Sequence, residues 1–507
     1  PFNYSRGEEL ITPQYDPEFL DLELQDRLDN TADPERKKQI EEQSTDYTLR
    51  QSFNVIGLRK ERTGDKKPMP YDIENFTFSG TYNQTDHRDF EIEESLDQQV
   101  KLGGTYDFGF RPKEIEPFKK VKFLGKSKYF DLIKDFNFNL LPTSVSVSSN
   151  ITRQYNKQIF RDITLGPDDI RLPPLYQRNF LYDWQYGVNY NLSKSLNFTF
   201  TSANKRIVKN FIDENNNVDN TVDIWTGFFD VGDPNSHSQQ LQVNYEVPFK
   251  KIPVLKFLRT TYSYSADFQW IKGSEALKSL EGIPDLGHTV QNANVHTVNG
   301  SLDMNTLYKY VGLTKKKARR RGAKDRDRKK DSKEKSDDRD SKDAPPPEPE
   351  SSSRKSRGKL SAGDKAFNTL IGLVTAVKKV NVNYNQDSGI FLPGYTRTPG
   401  FVGTLKPTVG FTFGSQSDVR DLAARNGWLT LYDEFNQQYQ DLVGKQLNIQ
   451  ASLDLLKDFK IDISGSRNYS ETFNENYRVN LIQDDVFTKE NINVEDPYES
   501  LTANTFG

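Results

Sequence analysis

The chain has 507 residues, with 69 Lys and Arg against 72 Asp and Glu and a formal net charge of -3, so no overall charge draws it to nucleic acid or an anionic surface. It has no cysteine, which rules out disulfide staples and thiolate metal centres and fits a chain that crosses an oxidising periplasm unfolded. A mean hydropathy of -0.79, with no apolar run near the ~20 residues of a membrane helix, excludes a helical membrane protein.

Residues 1–49 read as a loop region, and a weak alternation begins near Ser52. From Phe76 onward the period-two pattern of a β-strand is plain: Phe76, Phe78, Gly80 and Tyr82 alternate with Thr77, Ser79, Thr81 and Asn83. Further copies follow at Val100–Phe110, Val145–Ile151, Phe180–Leu192, Leu196–Phe200, Leu241–Val247, Tyr262–Trp270 and Val298–Met304. After a charged gap come Val380–Tyr384, Leu447–Leu455 and Phe459–Tyr469. The longest, Phe180 to Leu192, exceeds the ~9–11 residues with which a tilted strand crosses a bilayer.

A soluble antiparallel sheet alternates in the same way, so the polar face has to decide. Soluble sheets guard that face with Lys and Glu. Here Phe76–Asn83, Ser144–Thr152 and Leu196–Asn204 contain no charged residue, and the polar positions are Ser, Thr, Asn, Gln and Gly. Small neutral groups suit the hydrated inner wall of a barrel and aromatic rings suit lipid. The expected fold is therefore all-β, a portion of a very large antiparallel transmembrane β-barrel with about twelve strands, the count being a template estimate. On this reading Phe180, Tyr182, Trp184, Tyr186, Val188, Tyr190, Phe198, Phe200, Tyr262, Tyr264, Phe268 and Trp270 face lipid. Gln185, Asn189, Asn197, Thr199, Ser263, Asn448 and Gln450 face the lumen.

Connection lengths order the ends. Outer-membrane barrels have short periplasmic turns and long outer loops, so the turns at Leu192–Ser195 and Leu456–Asp458 mark the periplasmic end. Barrel strands with their loops then occupy 50–308, 380–386 forms a strand, 445–473 a hairpin, and 474–507 an outer loop and the start of the next strand. For that parity the alternating Val409, Phe411 and Phe413 must not span, so 387–444 is expected to be an outer domain holding a short hairpin and a helix.

Residues 309–359 form a linker rich in charge and proline, with too little apolar content to bury a core, and read as a disordered periplasmic tether. An amphipathic helix is expected over 360–379, capped by Ser361 and Asp364, with Phe367, Leu370, Ile371, Val374 and Val377 on one face.

Motifs for chemistry fail one after another. Gly125-Lys126-Ser127 ends like a phosphate loop, but Lys120 stands where the leading glycine belongs. His87, His237, His288 and His296 lack metal-ligand spacing, and Asp213–Asp219 lacks the glycine of a calcium loop. No catalytic residue, cofactor or metal is expected.

The strings FLPGYTRTPGFVG (Phe391–Gly403), LPTSVSVSSNITRQY (Leu141–Tyr155) and FTFSGTYNQTDHRDFEIEE (Phe76–Glu94) resemble the SprA/Sov family, the giant outer-membrane translocon barrel of the Bacteroidetes type IX secretion system. The resemblance covers nearly the whole chain and places it in the C-terminal part of such a protein. Pro1 and the absence of a terminal aromatic at Gly507 fit a part of something larger. It implies export of folded cargo carrying a type IX C-terminal signal, including gliding adhesins. The implied partners are a PorV-type shuttle barrel, a periplasmic plug protein and the lipid bilayer, and no nucleic acid. Two other classes stay open on the residues alone: a self-contained smaller channel or TonB-dependent-type receptor, and a soluble adhesin or enzyme.

Overall fold

The computed structural model describes residues 2–507 except 65–66, 124–127, 162, 164–171, 214–216, 275–284, 316–361, 457–458 and 484–485. The strands are β1 (Phe2–Ile11), β2 (Asp46–Leu58), β3 (Phe76–Arg88), β4 (Ile92–Gly109), β5 (Ser144–Phe160), β6 (Leu175–Ser193) and β7 (Leu196–Ile207). They continue as β8 (Asp233–Val247), β9 (Leu258–Ile271), β10 (His288–Asp303), β11 (Val377–Tyr395), β12 (Tyr439–Leu456), β13 (Phe459–Val479) and β14 (Tyr498–Phe506). Short helices lie between them: α1 (Leu24–Asp29), α2 (Pro34–Ser44), α3 (Asp131–Lys134), α4 (Met304–Tyr310), α5 (Ala362–Val374), α6 (Val409–Thr412) and α7 (Arg420–Arg425). No helix among the described residues is long and apolar enough to cross a membrane.

The fold is all-β, a single 14-stranded antiparallel sheet whose spatial order is the order of the chain. Each strand pairs with its sequence neighbours, and β1 and β14 pair on one side only, so the sheet is open. The alternating pattern yields about twelve strands, and the next strand expected to start within 474–507 is β14 (Tyr498–Phe506). The missed strand is β1, inside the expected loop region 1–49; each of its residues is exposed and its alternation is broken by Arg6, Gly7, Glu8 and Glu9.

Antiparallel order sends alternate connections to opposite ends. The two-residue turn Lys194–Ser195 lies at one, the turn end, together with the described residues of 59–75, 110–143, 248–257 and 304–376, and β12 ends and β13 begins there. Ser193 Oγ accepts from the Ser195 N–H at 3.2 Å, which tightens that turn without a glycine. Connections 12–45, 89–91, 161–174, 208–232, 272–287, 396–438 and 480–497 lie at the other, the loop end.

Several expected boundaries need correction. Strand β11 runs to Tyr395, nine residues beyond the expected 380–386. Within 387–444 the antiparallel pairing is that of residues 387–391 with 440–444, continuous with β11 and β12, and α6 and α7 lie between them. Thr408 Oγ1 accepts from the Phe411 N–H at 3.0 Å and starts α6, so the alternation of Val409, Phe411 and Phe413 serves a capped helical turn. The amphipathic helix is shorter than 360–379, because Val377 already pairs with Leu453 in the sheet; Ile371 is buried while Phe367, Leu370 and Val374 are exposed. The charged run 316–358 and Gly125-Lys126-Ser127 lie outside the described residues, as do 214–216 of the acidic tip.

Among the described residues, three cores stabilise the loop end. Phe268, Trp270, Val290, Ile390 and Leu392 of the sheet pack with Phe411, Val419, Ala423 and Leu429 of connection 396–438. Val100, Tyr155 and Phe180 pack with Val208, Val222 and Ile224 of connection 208–232. Leu24, Leu28 and Ile40 join α1 to α2.

Candidate functional site

The sheet has two chemically distinct faces, and register assigns every strand residue to one of them, because directly opposed residues share a face. Tyr186 opposes Val147 and Ser202, Tyr190 opposes Phe198, Phe198 opposes Val243, and Tyr262 opposes Tyr245 and Val298. This is the aromatic face. It includes all twelve residues expected at lipid.

Its two halves differ. On the turn-end half Phe76, Phe78, Leu102, Val147, Ile449 and Ile463 are exposed, from β3 at one side to β13 at the other. On the loop-end half the chain covers itself. Trp184 lies 5.3 Å from the Phe401 ring and Tyr182 stacks on the same ring at 6.3 Å. Phe268 meets Phe411 edge-on at 6.2 Å, Phe200 meets Phe413 at 5.9 Å, and Phe180 meets Phe211 edge-on at 5.8 Å. Phe180, Trp184, Phe268 and Trp270 are therefore buried, Phe180 and Trp270 at 1% exposure. The sequence reading puts these four at lipid; the structure puts protein against them. Tyr186, Val188, Tyr190, Phe198, Phe200, Tyr262 and Tyr264 are half-buried.

An irregular segment laid on a sheet brings unpaired backbone groups, and this one finds partners in polar side chains of the aromatic face. Asn292 Nδ2 donates to the carbonyls of Phe411 at 3.0 Å and Ser415 at 2.7 Å, and Asn294 Nδ2 to that of Gly414 at 2.5 Å. Tyr264 Oη donates to the Phe413 carbonyl at 2.5 Å, Trp270 Nε1 to that of Arg397 at 2.9 Å, and Gln239 Oε1 accepts from the Thr404 N–H at 3.3 Å. The approach is close at Gly414, whose φ is +89°; a Cβ there would sit 2.6 Å from Tyr264 Oη and 2.8 Å from Ala266 Cβ.

Arg420 fixes the second half of the segment. Its guanidinium is ion-paired to Glu475 and, at 2.8 Å, to Asp418. It also stands 3.9 Å from the centroid of the Tyr439 ring. Burial opposes the charge, but the two carboxylates outweigh it and hold the Arg420 pKa above its ordinary value.

The opposite face is polar. Asn189 Nδ2 donates to Ser144 Oγ at 3.0 Å, Ser263 Oγ to Asn244 Oδ1 at 2.6 Å, Gln291 Nε2 to Gln269 Oε1 at 2.6 Å, and Asn383 Nδ2 to Asn299 Oδ1 at 2.5 Å. These are cross-strand rungs of amides and hydroxyls. Gln185, Asn189, Asn197 and Gln450 are exposed on this face, and Thr199, Ser263 and Asn448 are half-buried. Charge is not confined to the connections: Lys101, Asp183, Asp267 and Asp387 share this face, with Asp183 opposite Lys205.

The four histidines stay dispersed. His237 Nε2 pairs with Gln239 Oε1 at 3.0 Å, and His296 Nδ1 with Tyr262 Oη at 2.8 Å. Among the described residues no group of three or more His, Asp or Glu is placed to hold a metal. Compared with models of known protein families and with curated proteins, the chain matches none.

Proposed function

We propose that the chain is wall of an outer-membrane β-barrel, and that its polar face lines a conduit for polypeptides. The observation that carries this is the separation of faces in one uninterrupted meander. An exposed apolar band spreads over the turn-end half of one face while the other holds a ladder of amides and hydroxyls. An apolar surface of that extent on a sheet calls for lipid or protein to cover it. Strands β4, β6, β11, β12 and β13 have 18, 19, 19, 18 and 21 residues, about twice the ~9–11 that a tilted strand needs. The turn-end half spans the membrane, and the loop-end half, clad by 208–232 and 396–438, stands above it on the cell surface.

The open edges at β1 and β14 pair with further strands, so the wall belongs to a barrel larger than this sheet. With the resemblance of Phe391–Gly403 and Leu141–Tyr155 to the SprA/Sov family, the conduit is the type IX translocon, exporting folded cargo with a type IX C-terminal signal. A PorV-type shuttle and a periplasmic plug are its partners. Neutral hydrogen-bonding groups give varied polypeptides weak, exchangeable contacts and few strong ones. Replacing Gln185, Asn189 and Thr199 together by Leu is expected to halt export while the barrel still assembles; export at the normal rate contradicts the reading.

A further inference from the structure

At the turn end, connection 110–143 returns along the aromatic face and leaves a cavity of about 850 Å³, inside the ~300–1,000 Å³ range of ligand clefts. Leu132, Phe136 and Phe138 line it from the connection, and Leu196, Val243 and Tyr262 from the sheet. The sheet residues belong to the face proposed above to meet lipid, so the cavity is continuous with that surface. An apolar crevice open to hydrocarbon fills with it, since apolar surface gains nothing by holding water.

The rim is ionic and of mixed sign. Lys194 pairs there with Glu114 at 2.7 Å and Glu116 at 3.3 Å, Lys250 with Glu246 at 3.0 Å and Lys251 with Asp135 at 3.3 Å. An ammonium has three donors and a carboxylate several acceptor sites, so the single partners of Lys250 and Lys251 leave capacity on both sides of each pair. Cations alone would suit an anionic head; interleaved cations and carboxylates suit a head carrying both a phosphate and a primary ammonium.

We infer that this cavity is a binding site for one phospholipid of the ethanolamine type. Its acyl chain lies between Phe136 and Val243, its phosphate meets Lys250 and Lys251, and its ammonium meets Asp135. The segment 136–139 is held in place to form the site: Asn139 N–H donates to the Leu192 carbonyl at 2.8 Å, Tyr190 Oη to the Asn139 carbonyl at 2.6 Å, and Lys194 N–H to Asn137 Oδ1 at 2.9 Å. The inference rests on the membrane reading of the aromatic face, and the experiment keeps the two apart.

The full chain, in detergent micelles containing equal phosphatidylethanolamine and phosphatidylglycerol of the same acyl composition, is examined by native mass spectrometry. Retention of a single phosphatidylethanolamine, lost in both Val243→Trp, which fills the crevice, and Leu132→Glu, which charges it from the connection, supports the site. Circular dichroism checks that each variant keeps its strands. Retention of no lipid, equal or preferred retention of phosphatidylglycerol, or undiminished retention in both folded variants overturns it. In parallel, Val147→Cys carries a nitroxide on the open aromatic face, in a chain with no other cysteine. A label reached by oxygen and shielded from a water-soluble nickel complex, in a chain that retains no lipid, overturns the cavity site alone. A label open to nickel overturns the membrane reading, and the site with it.

Discussion

Trp270 donates its indole N–H to the main-chain carbonyl of Arg397, 127 residues along the chain, at 2.9 Å. That bond fixes the start of the segment that covers the loop-end half of the aromatic face, and Asn292 and Asn294 hold its later part. Leaving a buried carbonyl without its donor costs about 1–3 kcal/mol. Asn292→Leu removes the donor to both Phe411 and Ser415, so hydrogen exchange across 409–416 should quicken while β3–β5 keep their protection. Unchanged exchange at 409–416 would show that the asparagine does not hold the segment.

Arg420 and Glu475 form a buried pair, and removing one partner of such a pair costs roughly 3–5 kcal/mol, whereas exchanging both for apolar residues is often neutral. Glu475→Gln should loosen α7 by less than that figure, since Asp418 still faces the guanidinium. Arg420→Met alone should loosen it more, and Arg420→Met with Glu475→Met should recover most of the loss. Proteolysis within 417–431 reads all three; an additive double variant would contradict the coupling.

Asp16 has a fully buried side chain. Burial raises its pKa, but the Arg27 guanidinium at 2.6 Å and the N–H groups of Glu18 and Phe19 more than offset that, leaving it below the ordinary carboxylate value. A carboxyl whose folded pKa is depressed adds stability that is complete above its unfolded value, ~3.9, and is lost as pH falls through the folded one. Protease resistance of residues 15–45 should therefore persist at mildly acidic pH and fail below the carboxylate range. Asp16→Asn should abolish that acid-dependent step, and an unchanged profile would assign the transition to another group.

On the open half of the aromatic face, Val147→Arg should cost roughly 2–4 kcal/mol in vesicles if the residue lies near mid-membrane. Denaturant titration of the reconstituted protein measures it. Trp184→Arg is expected to act differently, because Trp184 sits under Phe401: it should free that segment.

The alternation at Phe180–Leu192 carries β6 and its two faces whole, and the Ser193–Leu196 turn sets which connections share an end. What covers the aromatic face was not legible there. Phe401, Phe411 and Phe413 lie more than 100 residues from β6 to β9, and nothing local records that the carbonyls of Phe411 and Gly414 fall beside Asn292 and Asn294. One signal was available: Asn204, His237, Gln239, Asn292 and Asn294 interrupt the apolar positions on one half only, which is where a covering segment needs donors and acceptors. β1 was missed because an edge strand buries little and needs no clean alternation.

The separation of faces is tested most directly by single nitroxides, in vesicles, at Ile449 on the open aromatic face, Asn189 on the polar face and Phe411 in the covering segment, which is fully buried. The account predicts that the label at Ile449 is relaxed by oxygen and shielded from a nickel complex, that the one at Asn189 is open to nickel, and that the one at Phe411 is shielded from both. A nickel accessibility at Ile449 equal to that at Asn189 would contradict it.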